Sequence, residues 1–165
     1  MTDYSEQYKD ISIIDKCIIR PAELQDMGSV MDCIKKSFEP YISILRQIPN
    51  ALNADLKKII DSQNLFVATI DDKIVGTIEI IINHESINLE KLSVLPYFRG
   101  KGIGKKLISY AEFLAKENRI KKIKLFTNER LIDNIRYFKK NGFSETDKKV
   151  ENGFKRVYFE KNIIG

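Results

Sequence analysis

Between positions 99 and 105 the chain reads Arg-Gly-Lys-Gly-Ile-Gly-Lys, three glycines at alternate positions among three cations. Before it, the run Ile87 to Leu95 has the apolar character of a strand and stops at Pro96. After it, Ile103, Leu107, Ala111 and Leu114 recur at helical spacing, with lysines mostly on the opposite side. Lys122-Ile123-Lys124-Leu125-Phe126 then alternates as a strand. Strand, glycine turn, helix and strand make a βαβ unit, whose crossover is right-handed in nearly every known case. The fold must therefore contain a parallel strand pair with a helix laid across it.

The rest of the chain supplies the partners of that unit. Ile18-Ile19-Arg20 ends a short strand, and Pro21 suits the first turn of a helix. Residues 22–38 carry Leu24, Met27, Val30, Met31, Ile34 and Phe38 at helical spacing. Pro40 and Pro49 are expected to break the chain, and 52–61 reads as a short helix. Leu65 to Ile70, the turn Asp71-Asp72-Lys73, and Ile74 to Ile82 form a hairpin. Residues 131–140 read as a helix capped by Asn141-Gly142, and the segments 143–150 and 154–161 flank the hairpin turn Asn152-Gly153. The reading is an α/β (α+β) fold: a mixed, mostly antiparallel central sheet of six or seven strands flanked by helices.

At 165 residues, the chain is expected to be one domain spanning 1–165, with 1–14 as a polar N-terminal extension. No apolar run approaches the roughly 18–20 residues that span a bilayer, and residues 1–10 lack the pattern of a secretory leader. A cytoplasmic protein is expected. Cys17, Cys33 and the single His84 offer neither a disulfide framework nor a metal site, so no metal is expected. The net charge of +5 fits a lysine-rich solvated surface and does not single out nucleic acid.

Alternating glycines let the backbone approach a ligand and turn successive N–H groups towards it. A helix N-terminus adds unpaired donors and partial positive charge, so the turn suits a phosphate, with Arg99, Lys101 and Lys105 adding charge. A P-loop needs four residues between its glycines and a hydroxyl after the lysine, whereas three separate Gly100 from Gly104 and Lys105-Lys106 follows. A dinucleotide fingerprint fails as well, because its third glycine would fall on Lys105 or Leu107.

The pattern Gln/Arg-x-x-Gly-x-Gly/Ala does fit, through Arg99, Gly102 and Gly104. With Leu92-Ser93-Val94-Leu95-Pro96 before it, Ile74-Val75-Gly76 in the hairpin, and Asn134 through Phe143, the chain from Ile18 to Lys161 resembles the GNAT acetyltransferase superfamily. The resemblance implies acetyl-CoA as cosubstrate, held in a cleft where the strand through Leu92, Ser93 and Val94 splays from its neighbour at a bulge. Main chain there would meet the pantetheine arm, the amides and side chains of Arg99, Gly100, Lys101, Gly102, Ile103, Gly104 and Lys105 the pyrophosphate, and Asn134 and Phe138 the arm's other side. It also implies a backbone N–H near Val94 that stabilises the developing oxyanion.

Acyl transfer to an amine needs a base for the amine and benefits from an acid at the leaving thiolate. Glu90 is the candidate base, since on an unbulged strand it shares a face with Leu92 and Val94. His84 is an alternative by residue type, although it falls in a loop. The family's tyrosine, four residues before the Gly-Phe glycine, is here Phe138. Tyr137, one residue earlier, points about 100° away on a helix, leaving three alternatives: Tyr137 by local rotation, Tyr158 from the C-terminal hairpin, or no side-chain acid. The acceptor is expected to be an amine on a small molecule or a protein, with nucleic acid unlikely, no membrane, and a monomer or homodimer. A binding module that holds acyl-CoA without transfer, and an acetyltransferase acting on aminoacyl-tRNA, remain open.

Overall fold

The computed structural model describes residues 12–46, 48, 52 and 54–164. One sheet runs in the order β1-β2-β3-β4-β5-β7-β6. Its strands are β1 (Ile18–Pro21), β2 (Leu65–Ile70), β3 (Lys73–Ile82), β4 (Ile87–Val94), β5 (Lys122–Asn128), β6 (Ser144–Glu151) and β7 (Phe154–Asn162). Every neighbouring pair is antiparallel except β4 and β5, the pair joined by the crossover behind the glycine turn. The helices are α1 (Ile13–Lys16), α2 (Met27–Leu45), α3 (Leu56–Asp61), α4 (Ile103–Glu117) and α5 (Ile132–Lys140). The mostly antiparallel, helix-flanked α/β sheet expected from the sequence is therefore the fold, with seven strands.

Two apolar layers hold it together. On one face, Ile103, Leu107, Ile108, Ala111 and Ala115 of α4 are buried in a cluster with Ile78, Ile80, Ile87 and Leu89 of the sheet. The contact is close at Gly76, where an added Cβ would lie 3.0 Å from the Ser93 carbonyl oxygen and 3.2 Å from Leu107. Any larger residue would push α4 off the sheet. On the other face, Val30 and Ile34 of α2 pack with Leu56, Ile60, Leu65 and Val67. Each such fully buried aliphatic side chain contributes about 1.5–3 kcal/mol, so the two layers fix α2 and α4 on opposite sides of β3 and β4.

Several boundaries differ from the sequence expectation. Pro21 ends β1 rather than opening a helix. β1 is an edge strand, where the missing N–H costs no ladder bond, and a 3-10 turn over Leu24–Asp26 leads into α2 instead. Pro40 does not break α2, which continues to Leu45. Pro40 and Lys36 are both exposed, so the Lys36 carbonyl that loses its i+4 donor can face solvent. Pro49 lies outside the described residues, and the short helix expected over 52–61 runs from Leu56 to Asp61 behind an Asp55 cap that accepts from the Lys58 N–H at 3.2 Å. Of the N-terminal segment 1–14, residues 1–11 lie outside the described residues, while Ile13 and Ile14 pack against the main core and the Lys106 ammonium donates to the carbonyls of Ile14 and Cys17.

Candidate functional site

The parallel pair β4–β5 is joined only at Ile87–Ile123 and Asn88–Lys124. Beyond those pairs β4 continues to Val94 and β5 to Asn128, so the strands part into a V. The edge of β4 in that V is reshaped by a bulge. Across β3, Thr77 opposes Ser93 and Glu79 opposes Glu90, leaving Lys91 and Leu92 opposite the single residue Ile78. Lys91 takes a left-handed backbone, φ +50°. The extra residue reverses the alternation of side chains. Glu90 lies on the α2 side with Glu79, Thr77 and Ser93, while Val94 lies with Gly76 on the α4 side. The expectation that Glu90 shares a face with Val94 is thus corrected, because it assumed an unbulged strand.

The glycine turn sits at the V's α4 side. Gly100 and Gly102 have φ +73° and +89°, conformations that cost a residue with a Cβ about 1–3 kcal/mol. The first helical bond of α4 is Lys106 N–H to Gly102 C=O, 3.0 Å. The amides of Ile103, Gly104 and Lys105 therefore precede the ladder and have no acceptor within it. Gly104 is explained differently: a Cβ there would lie 2.7 Å from the Tyr137 hydroxyl and 3.8 Å from Val94 Cγ2. Glycine at 104 makes room for the Tyr137 phenol to reach the cleft from α5. Burial raises the Tyr137 pKa above its ordinary value, so the phenol stays protonated at neutral pH.

The cations divide their work. Lys101 and Lys105 are exposed beside the turn, with the Lys101 ammonium 5.4 Å from the Tyr97 ring centre. Arg99 instead turns to α2, donating to the Ser37 carbonyl at 2.6 Å and lying 5.7 Å from the centre of the Tyr41 ring. The Tyr41 hydroxyl donates to Asn134 Oδ1 at 3.3 Å, and Asn134 Nδ2 reaches Thr127 Oγ1 at 3.5 Å. Asn134 is thereby drawn from α5 towards the end of β5, and Tyr41 ties α2 to it across the gap. Phe138 is not at the cleft. It is buried against Phe143 and Phe159, ring centres 6.0 Å away in each case, because its place on α5 faces the core under the C-terminal hairpin.

On the α2 side the bulge carries charge. The Lys91 ammonium bonds the buried Glu79 carboxylate and lies 3.5 Å from Glu90. In the sequence Glu79 is marked only as a carboxylate inside Thr-Ile-Glu-Ile-Ile-Ile. Leu92 packs against the main core as a half-buried side chain. Tyr158 donates to Glu151 at 2.6 Å within the C-terminal hairpin, and His84 is exposed in the β3–β4 turn.

Two parted strand edges beside an amide-rich, cationic turn leave an open cleft between β4 and β5. The model of the acetyltransferase (GNAT) domain matches residues 61–145, half of the chain. The chain belongs to the GNAT acetyltransferase family. Its fold is similar to that of the PaiA N-acetyltransferase of Thermoplasma acidophilum, solved in complex with coenzyme A (TM-score 0.73, 20% identity, covering 88% of this chain and 98% of that one). A GNAT-family acetyltransferase of Staphylococcus aureus Mu50 gives TM-score 0.74 at 22% identity, over 90% of this chain and 99% of that one. The ribosomal-protein-S18-alanine N-acetyltransferase of Escherichia coli gives 0.71 at 13%, over 89% and 94%. Among curated proteins none matches the sequence. Among the described residues no helix is long and apolar enough to cross a membrane.

Proposed function

We propose that the chain is an acetyl-CoA-dependent N-acetyltransferase that moves an acetyl group to a primary amine by direct attack in a ternary complex. The observation that carries this reading is the β4–β5 ladder ending after two pairs, beside a turn whose first helical amides have no acceptor within α4. A pantetheine arm fits between the parted strand edges, and the amides from Gly100 to Lys105, with Lys101 and Lys105, suit its diphosphate. Asn134 is a further donor for the arm. Ser93 and Phe138 point away from the gap, one to α2 and one to the core, so their share in binding is main-chain or indirect.

In the reaction the amine nitrogen bonds the thioester carbon, the carbon–sulfur bond breaks, the thiolate leaves, and the amine gives up one proton. Glu90, on the α2 side where an acceptor can approach, takes that proton through water. A backbone N–H near Val94 stabilises charge on the carbonyl oxygen. Tyr137 is the donor to the thiolate, supported by its approach to Gly104 at the start of α4 and by a pKa that burial raises. The acceptor is an amine on a small molecule or a protein. Thiol release from acetyl-CoA against a panel of amines tests the reading. Glu90→Gln should lose turnover at least ~10-fold while coenzyme A binding measured by calorimetry is unchanged, and no thiol release with any amine would count against catalysis.

A further inference from the structure

Beneath α2, three side chains converge on the bulge. Thr77, fully buried on β3, donates its hydroxyl proton to the Lys91 carbonyl at 2.8 Å. The Ser93 hydroxyl lies 2.5 Å from the Thr77 oxygen, and Cys33 of α2 lies 3.7 Å from the Ser93 oxygen. Proton counting fixes the direction of this chain. A hydroxyl has one proton, and Thr77 gives its own to Lys91, so Ser93 must donate to Thr77 and the Cys33 thiol to Ser93. The thiol can do so because burial pushes its pKa up to about 11, leaving it protonated at neutral pH.

The acceptor of that chain is the carbonyl of the one left-handed residue in β4. A trans peptide is planar, with its N–H antiparallel to its C=O. Whatever holds the Lys91 carbonyl towards Thr77 therefore also holds the Leu92 N–H in the opposite direction, away from the α2 layer. The same bond pins the bulge that separates Glu90 from Val94.

We propose that Thr77 is a positioning residue for acyl transfer: its hydroxyl, backed by Ser93 and Cys33, sets the direction of the 91–92 peptide and the course of the β4 edge along the cleft. This rests on the reading of the β4–β5 cleft as the acyl-transfer site. Thr77 touches neither substrate. It acts through the backbone donors of residues 92–94, whose misplacement by about 1 Å is enough to cost on the order of 100-fold in rate. The Glu79–Lys91 ion pair holds the same bulge from the side-chain end.

The test is Thr77→Val, which keeps the shape and removes the proton, beside Thr77→Ser, which keeps the proton. With acetyl-CoA and the best amine of the panel, Thr77→Val should lower kcat by about 10- to 100-fold. Its KM for acetyl-CoA and its calorimetric affinity for coenzyme A should stay within ~2-fold, and Thr77→Ser should recover most of kcat. A merely structural role would lower thermal stability in Thr77→Val without this split, and kcat retained within ~3-fold would overturn the proposal. The Leu92 amide resonance reads the peptide directly, whatever the turnover. It should move in Thr77→Val and return in Thr77→Ser, and an unmoved resonance overturns the proposal. If the native chain turns over no amine, the underlying reading fails and takes the catalytic role with it. A Leu92 resonance still shifted in Thr77→Val would then show that the failure lies with the reaction and not with the hydrogen bond.

Discussion

Glycine at 104 and tyrosine at 137 explain each other, and a double-mutant cycle measures how strongly. A methyl group at 104 would lie 2.7 Å from the Tyr137 hydroxyl oxygen, well inside the 3.4 Å at which ordinary contact begins. With the oxygen removed, the nearest ring carbon would be 3.5 Å away, an ordinary contact. Overpacking of this kind costs about 1–3 kcal/mol. Against it stands the gain of about 0.5–1 kcal/mol from replacing a helical glycine by alanine, available here because residue 104, unlike 100 and 102, does not have positive φ. Gly104→Ala should therefore destabilise the native background by roughly 0.5–2 kcal/mol and stabilise the Tyr137→Phe background by roughly 0.5–1 kcal/mol. The coupling energy is about 1–3 kcal/mol. Urea unfolding of the four proteins, with slopes checked for equality, gives this number directly. Additivity within ~0.5 kcal/mol would refute the claim that the phenol occupies the space over Gly104.

The remaining predictions concern ionisation. Asp26 accepts from Arg20 at 2.7 and 3.0 Å and from the Glu23 N–H at 2.8 Å, and the Arg20 bond above all holds its carboxyl below the ordinary 3.8. The stabilisation this gives is full above 3.8 and is lost as pH falls through the lowered value. Asp26→Asn should cost about 1 kcal/mol at pH 7, since Arg20 is part exposed, and acid titration of both proteins should show the gap closing in strong acid. A gap that persists there would contradict the ion pair as its source. Cys17 and Cys33 are 3% and 1% exposed, and burial raises both thiols. Neither should react with an aromatic disulfide at pH 8 in the native protein, and both should in concentrated urea; a fast native Cys33 would contradict the packing of α2 on β4, and a fast native Cys17 its burial in the main core.

Local signals in the sequence carried most of the architecture, and non-local ones were hidden. The turn from Arg99 to Lys105, the α4 stripe and the Asn152-Gly153 hairpin were legible because each is specified within a few residues. Pro21 and Pro40 misled for one reason: a proline's cost depends on whether its missing bond is needed, and edge position or solvent decides that. The bulge at Lys91 leaves no mark in a strand read alone, since it exists only as two residues of β4 set against one of β3. The faces of Glu90 and Val94, and the Thr77–Ser93–Cys33 chain, follow from it and shared its invisibility. Phe138 was recognisable as a departure at the family's tyrosine position, yet only packing against Phe143 and Phe159 shows that it belongs to the core. The contact of Arg99 with Ser37 on α2 is non-local, so the charge of Arg99 is visible in the sequence and its partner is not.

The proposed function requires that the main chain between Gly100 and Lys105 grip a diphosphate. Isothermal calorimetry of coenzyme A binding to the native protein and to Gly102→Val addresses this most directly, with circular dichroism to confirm that the variant folds. Valine is strained at φ +89° and must swing the following amides aside, so saturable binding by the native chain should weaken at least ~10-fold in the variant. Equal affinities, or no heat from the native protein at any coenzyme A concentration, would contradict the account.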